Sequence, residues 1–125
     1  MLLLIDNNMG NLNSVRNAFR RIGVLVKQSS DSADVAKATA LVLPGVGAYK
    51  KGMAGLRAKG LIDPIRQRGL RENLPILGIC LGMQMLGSSS EEHGNYPGLN
   101  LVAGRVKRLV SRDPAFRVPN IGWCD

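Results

Sequence analysis

Leu74-Pro75-Ile76-Leu77-Gly78-Ile79-Cys80-Leu81-Gly82-Met83-Gln84-Met85-Leu86 reads as a strand that passes into a helix with no loop between them. Pro75 opens the apolar run Ile76 to Ile79, Cys80 ends it, and Leu81 to Leu86 has a helical pattern. Such a junction has room for one residue at the turn, held in a strained backbone geometry with its side chain at the helix N-terminus. Glycines two before and two after, Gly78 and Gly82, relieve the crowding. Gly-x-Cys-x-Gly is therefore the thiol version of a nucleophile elbow. Free backbone N–H groups and the positive end of the helix favour a thiolate at Cys80. The N–H of Leu81 points where an oxyanion would form, and Gln84, four residues on from Cys80, shares the elbow's helix face. On these five residues alone, a buried structural cysteine accounts for the pattern equally well.

The flanking sequence supplies the rest of an α/β architecture. Leu2 to Asp6 predicts a buried first strand, Asn7 to Asn11 a turn, and Leu12, Val15, Phe19 and Ile22 recur at helical spacing. Gly23 closes that helix, and Val24 to Val26 begin a second strand. A short amphipathic piece, Ser32 to Ala38, leads to a third strand, Ala40 to Leu43. Helices follow at about 51–59 and 61–70, and after the elbow Leu99 to Val102 and Arg105 to Val110 read as short strands. Alternating strands and helices predict a mostly parallel sheet with helices on both faces, flavodoxin-like in arrangement. Pro44-Gly45-Val46-Gly47 is then a loop at the end of the third strand, on the same sheet edge as Cys80. Its glycines let the backbone approach a ligand and present N–H groups. Taken alone, that loop is more simply a tight turn.

Composition narrows the class. At 125 residues the chain has the length of one domain. Its 45% apolar and 4% aromatic content suits a globular protein. The N-terminus has no basic segment before its short apolar run, and no stretch is long enough to span a membrane, so a cytoplasmic chain is expected. Cys80 and Cys124 match neither a zinc spacing nor a disulfide framework, and no metal or cofactor is expected. The net charge of +8 is concentrated between residues 50 and 71, where Lys50, Lys51, Arg57, Lys59, Arg66, Arg68 and Arg71 face one acid, Asp63. Without interleaved aromatics or a nucleic-acid motif, this reads as a solvated helix face rather than a docking surface.

Taken together, the sequence resembles the class I glutamine amidotransferases, and within them the glutaminase subunits of imidazole glycerol phosphate synthases. The matching stretches are Ile5-Asp6 with Met9-Gly10-Asn11, Leu43 to Ala48, Leu77 to Gln84, Ser90-Glu91-Glu92, Gly104-Arg105-Val106, and Val118-Pro119 with Gly122-Trp123. The resemblance implies that Cys80 attacks the side-chain amide of glutamine, and that Gly45, Val46 and Gly47 form the oxyanion hole with the Leu81 N–H. It implies that Gln84 and Glu92 bind the glutamine. It further implies that ammonia passes to a (β/α)8-barrel cyclase subunit in a heterodimer, with Asn11, Asn120 and Trp123 on the facing surface. Departures are Asn7-Asn8 for the family's usual Tyr-Gly, Asn120 for His, and Cys124 for Asn.

A cysteine nucleophile needs a base, and the base an orienting group. The family supplies them as a downstream His-x-Glu, which this sequence lacks; His93, the single histidine, follows Glu92 and is not expected to be that base. The sequence therefore reads as one glutamine amidotransferase domain, incomplete at its C-terminus and expected alone to be inactive and either poorly stable or oligomeric. Two other readings remain at this point. One is a related subunit feeding an enzyme that amidates surface-polysaccharide sugars, and the other is a non-catalytic remnant.

Overall fold

The computed structural model of the chain describes residues 1–119. Its central sheet has four strands in the order β2-β1-β3-β4, all parallel. They are β1 (Leu2–Ile5), β2 (Val26–Ser29), β3 (Ala40–Gly45) and β4 (Ile76–Cys80). Helices connect them: α1 (Leu12–Arg21), α2 (Ser32–Lys37), then α3 (Tyr49–Ala58) and α4 (Ile62–Arg71) in succession. A five-residue helix, α5 (Leu81–Met85), leaves β4 directly, and β5 (Ser89–Ser90), β6 (Tyr96–Pro97) and β7 (Arg105–Val106) form a small second sheet.

Side-chain alternation divides the sheet into two faces. Leu3, Ile5, Leu41 and Leu43 pack with Val35 of α2, Leu56 of α3, Ile65 of α4, and Leu81 and Met85 of α5, all almost fully buried. The opposite face carries Leu4, Val42 and Leu77 in register. Leu4 and Val42 are buried, whereas Leu77 is 52% exposed. Helix α1 lies on that side, where Phe19 and Leu77 line a shallow hollow with Leu2 and Val42, and none of its residues is buried. Of the predicted helical stripe, Leu12, Val15 and Phe19 are half-buried, whereas Ile22 caps the end of the helix and is 72% exposed.

Several expected boundaries move for identifiable reasons. The second strand starts at Val26 rather than Val24, because its ladder with β1 begins with Leu2 opposite Val26; Leu25 is left 88% exposed. Pro44 and Gly45 belong to β3 rather than to a loop, since β4 continues alongside them and pairs Ile79 with Pro44 and Cys80 with Gly45. The expected strand Leu99 to Val102 does not form. Its N–H groups bond instead to carbonyls at and just past the end of the elbow helix: Leu99 to Met85, Asn100 to Gly87, and Leu101 and Val102 to Leu86. Carbonyls at a helix C-terminus have no N–H donor within the helix, so the passing chain supplies one. The strand expected over Arg105 to Val110 is confined to Arg105 and Val106.

The basic stretch also departs from a purely solvated face. Lys59 donates to the Asp6 carbonyl at 2.7 Å and to Asn8 Oδ1 at 3.2 Å. Arg68 bonds the Ala38 carbonyl and pairs with Glu72, and Lys50 lies 5.3 Å above the ring of Tyr96. Three of these cations thus fasten one element to another.

Candidate functional site

Cys80 sits where β4 becomes α5, with φ +54° and ψ −118°. A side chain is rarely tolerated there, and the surroundings impose it. A Cβ on Gly78 would lie 2.5 Å from the Met83 Cα, because α5 folds back over the strand it has just left. A Cβ on Gly82 would lie 1.7 Å from the Leu43 carbonyl oxygen, because the first turn of α5 rests on the backbone of β3. Neither glycine is needed for a positive φ; both are needed for close backbone approach. The thiol of Cys80 is exposed, and among the described residues no side chain hydrogen-bonds it. Helix α5 is shorter by one residue than expected, so polarity at the elbow comes from its local N–H groups more than from a long dipole.

Beside the elbow lies the end of β3. Gly45 is the register partner of Cys80, and a Cβ there would come within 3.0 Å of the Gly82 nitrogen. Val46 is 53% exposed, and Gly47 adopts φ +92° against the methyl of Met9. The predicted oxyanion residues Gly45, Val46, Gly47 and Leu81 are therefore brought to one corner with Cys80. Sequence reasoning missed Asn7, which is 1% exposed among apolar residues. Its Nδ2 donates to the Pro44 carbonyl at 3.3 Å, and its Oδ1 accepts the Met9 N–H at 3.0 Å. A polar residue immediately after a buried strand was the one available signal.

Gln84 and Glu92 are also brought together. They line a cleft of about 510 Å³ with Ser90, Glu91, His93, Val106, Lys107 and Arg108. Cys80 and Gly47 are not among its walls, so the cleft opens one helical turn beyond the nucleophile. Glu92 has a further contact: its Oε2 accepts the Tyr49 N–H at 2.7 Å. Ala48, which precedes α3, offers no side-chain cap, so Glu92 supplies it from a distant loop. The same contact ties the cleft to the residue that follows the Gly47 turn. Tyr49 is itself fully buried, its hydroxyl has no partner among the described residues, and burial pushes that hydroxyl's pKa upward. His93, with φ +54°, stands in the cleft wall rather than at the thiol.

Asn11 caps α1 through its Oδ1, which accepts the Ser14 N–H at 3.2 Å. Asn120 and Trp123, the other two expected interface residues, lie outside the described residues, as does Cys124. Nearby, Asp6 has its carboxyl held below the usual range, first by a hydrogen bond from Gln28, then by the Asn8 N–H and the charge of Lys59. Among the described residues no cluster of His, Cys, Asp and Glu could hold a metal ion, and no helix is long and apolar enough to cross a membrane.

The sequence matches the family glutamine amidotransferase class-I over residues 3–113. Curated relatives named imidazole glycerol phosphate synthase subunit HisH include one from Symbiobacterium thermophilum, 48% identical over 98% of this chain and 56% of the relative. Another, from Syntrophotalea carbinolica, is 43% identical over 98% of this chain and 61% of the relative. The chain thus spans less than two thirds of the length of these relatives. Among solved structures, a glutamine amidotransferase superposes with a TM-score of 0.72 at 22% identity, over 85% of this chain and 56% of that one. A putative peptidase E from Listeria monocytogenes superposes with a TM-score of 0.64 at 15% identity, over 81% and 62%. The two structures share the fold.

Proposed function

The chain belongs to the class I glutamine amidotransferases, and from that premise we propose that it acts in glutamine hydrolysis as glutaminase-subunit sequence of an imidazole glycerol phosphate synthase. The observation that carries the reading is the left-handed Cys80 at a strand–helix junction, wedged between Gly78 and Gly82 and in register with Gly45.

In this reading the Cys80 sulfur attacks the side-chain amide carbon of glutamine and a carbon–sulfur bond forms. The amide oxygen becomes an oxyanion, stabilised by N–H groups of Leu81 and of the Gly45–Gly47 corner. The carbon–nitrogen bond then breaks, the nitrogen takes a proton and leaves as ammonia, and a thioester remains. Water attacks the thioester through a second oxyanion, releasing glutamate and restoring the thiol. Gln84 and Glu92 hold the amino-acid part of the substrate in the adjoining cleft. Proton transfer needs a base at the thiol, and His93 stands in the cleft wall instead. Ammonia goes to a (β/α)8-barrel cyclase subunit docked beside Asn11, Asn120 and Trp123, in a cytoplasmic heterodimer of histidine biosynthesis. The relatives' HisH names and their identity of 43–48% over nearly all of this chain support that partner.

The test is glutamate release from glutamine, with and without a cyclase barrel subunit, beside a Cys80→Ala control. Release that disappears in the control supports the reading. So does alkylation of Cys80 by a glutamine-shaped chloroketone without release, which indicates a formed elbow lacking its base. Neither release nor alkylation would overturn it.

A further inference from the structure

We infer that Asn7 is the positioning residue of the oxyanion corner, through its hydrogen bond to the Pro44 carbonyl. The inference rests on the glutaminase reading and assigns this corner a determinant of its own.

The ladder between β1 and β3 ends with Leu4 opposite Val42. Beyond that pair β1 has only Ile5 left, whereas β3 runs on to Gly45. Asn7 fills the gap, its Nδ2 taking the Pro44 carbonyl at 3.3 Å where a strand would have offered a backbone N–H. That distance is at the long end of the hydrogen-bond range, so the bond contributes direction more than strength. Direction is what the corner requires. The Pro44–Gly45 peptide is trans and planar. With its carbonyl held towards the β1 side, its N–H must point the opposite way, towards β4, where Cys80 is the register partner of Gly45. The bond therefore holds, from the side opposite the β4 ladder, the peptide plane from which Val46 and Gly47 depart.

Two observations separate this from ordinary core packing. Asn7 is one of only two polar residues buried among the described residues, and both ends of its carboxamide are used, Oδ1 by the Met9 N–H at 3.0 Å. An apolar side chain would suit a purely structural position better, since a buried amide must have partners to be tolerated. The segment also meets the corner at both ends: Asn7 holds Pro44, and the Met9 methyl lies 3.3 Å from where a Cβ on Gly47 would be. Lys59 anchors the same segment through the Asp6 carbonyl and Asn8.

Asn7→Asp isolates the bond. It keeps the shape and the acceptor for Met9, but at neutral pH turns a carboxylate oxygen towards the Pro44 carbonyl. The readout is the rate of Cys80 alkylation by the glutamine-shaped chloroketone divided by the rate with iodoacetamide, on the full 125-residue chain. In the first reaction the sulfur–carbon bond forms as chloride leaves, and the polarised ketone depends on the oxyanion donors. The second reports thiolate availability alone. The expected result is a ratio about tenfold or more lower in Asn7→Asp at pH 8, below the loss on deleting an oxyanion donor outright. The ratio should recover as acidification protonates the aspartate into a donor, while the wild-type ratio stays flat. If Asn7→Asp fails to fold, Asn7→Ser, too short to span the same distance, should lower the ratio at every pH. An unchanged ratio in either folded variant would overturn the positioning role. Wild-type chain that reacts with iodoacetamide and never with the chloroketone would overturn the glutaminase reading, and the positioning role with it.

Discussion

Replacing Gly82 by alanine puts a methyl carbon 1.7 Å from the Leu43 carbonyl oxygen, 2.6 Å from its carbon and 3.1 Å from the Pro44 carbonyl carbon. A carbon and a carbonyl oxygen settle at about 3.3 Å, so the first turn of α5 must retreat from β3 by about 1.6 Å. No rotamer relieves the clash, because every obstructing atom is backbone. Overpacking of this kind costs about 3 kcal/mol or more, against about 1 kcal/mol regained from the better helix propensity of alanine. The net loss expected is therefore about 2 kcal/mol or more, read as a lower urea midpoint by circular dichroism. The Leu81 N–H moves with the turn, and a misplacement of about 1 Å costs roughly a hundredfold in a reaction that depends on it. Chloroketone alkylation of Cys80 should fall on that scale while iodoacetamide alkylation holds. A Gly82→Ala chain within about 0.5 kcal/mol of wild type, alkylated at the wild-type ratio, would refute the account of the elbow.

Other perturbations read other contacts. Glu92→Ala removes the acceptor at the start of α3 and should cost about 0.5–2 kcal/mol in urea titrations, with Glu92→Gln keeping most of that stability. Tyr49→Phe deletes a buried hydroxyl that has no partner among the described residues and should leave the thermal midpoint unchanged or raised; a clear drop would mean that the hydroxyl is satisfied in solution. Asp6 has its folded pKa lowered by Gln28, the Asn8 N–H and Lys59. Its contribution is therefore present above the ordinary carboxylate range and lost as pH falls through the folded value. Between about pH 5 and pH 3 the urea midpoint of wild type should fall more steeply than that of Asp6→Asn, and parallel curves would remove Asp6 from the acid sensitivity.

The elbow was legible because its mark is local, two glycines spaced around Cys80, although only the crowding at Gly78 comes from the adjoining helix and that at Gly82 comes from the β3 backbone. The parallel sheet was legible for a similar reason, in apolar runs separated by helical spacing. Contacts between remote residues were not. Asn7 meets Pro44 across 37 positions and Glu92 meets Tyr49 across 43, and neither residue type announces a partner at that range. Glu92 therefore read as a substrate contact alone, without its place at the start of α3. Leu99 to Val102 misled because apolar alternation describes a strand equally well when the N–H groups go to a helix end. Lys59 and Arg68 read as solvated charge because their acceptors, the Asp6 and Ala38 carbonyls, belong to other elements.

The Glu92–Tyr49 bond also imposes an order on biosynthesis. A ribosome adds residues at about 5–20 per second, so the 43 positions between the two take roughly 2–9 s to translate. Throughout that interval α3 has emerged without the acceptor for its first turn, and the chain beside Gly47 has only its contacts with Asn7 and Met9. Codons or pauses between these positions lengthen the exposure, whereas those after Glu92 act on an already fastened corner. A translating complex arrested just short of Glu92 should therefore present a protease-sensitive start of α3, and one arrested with residue 92 well clear of the exit tunnel should not.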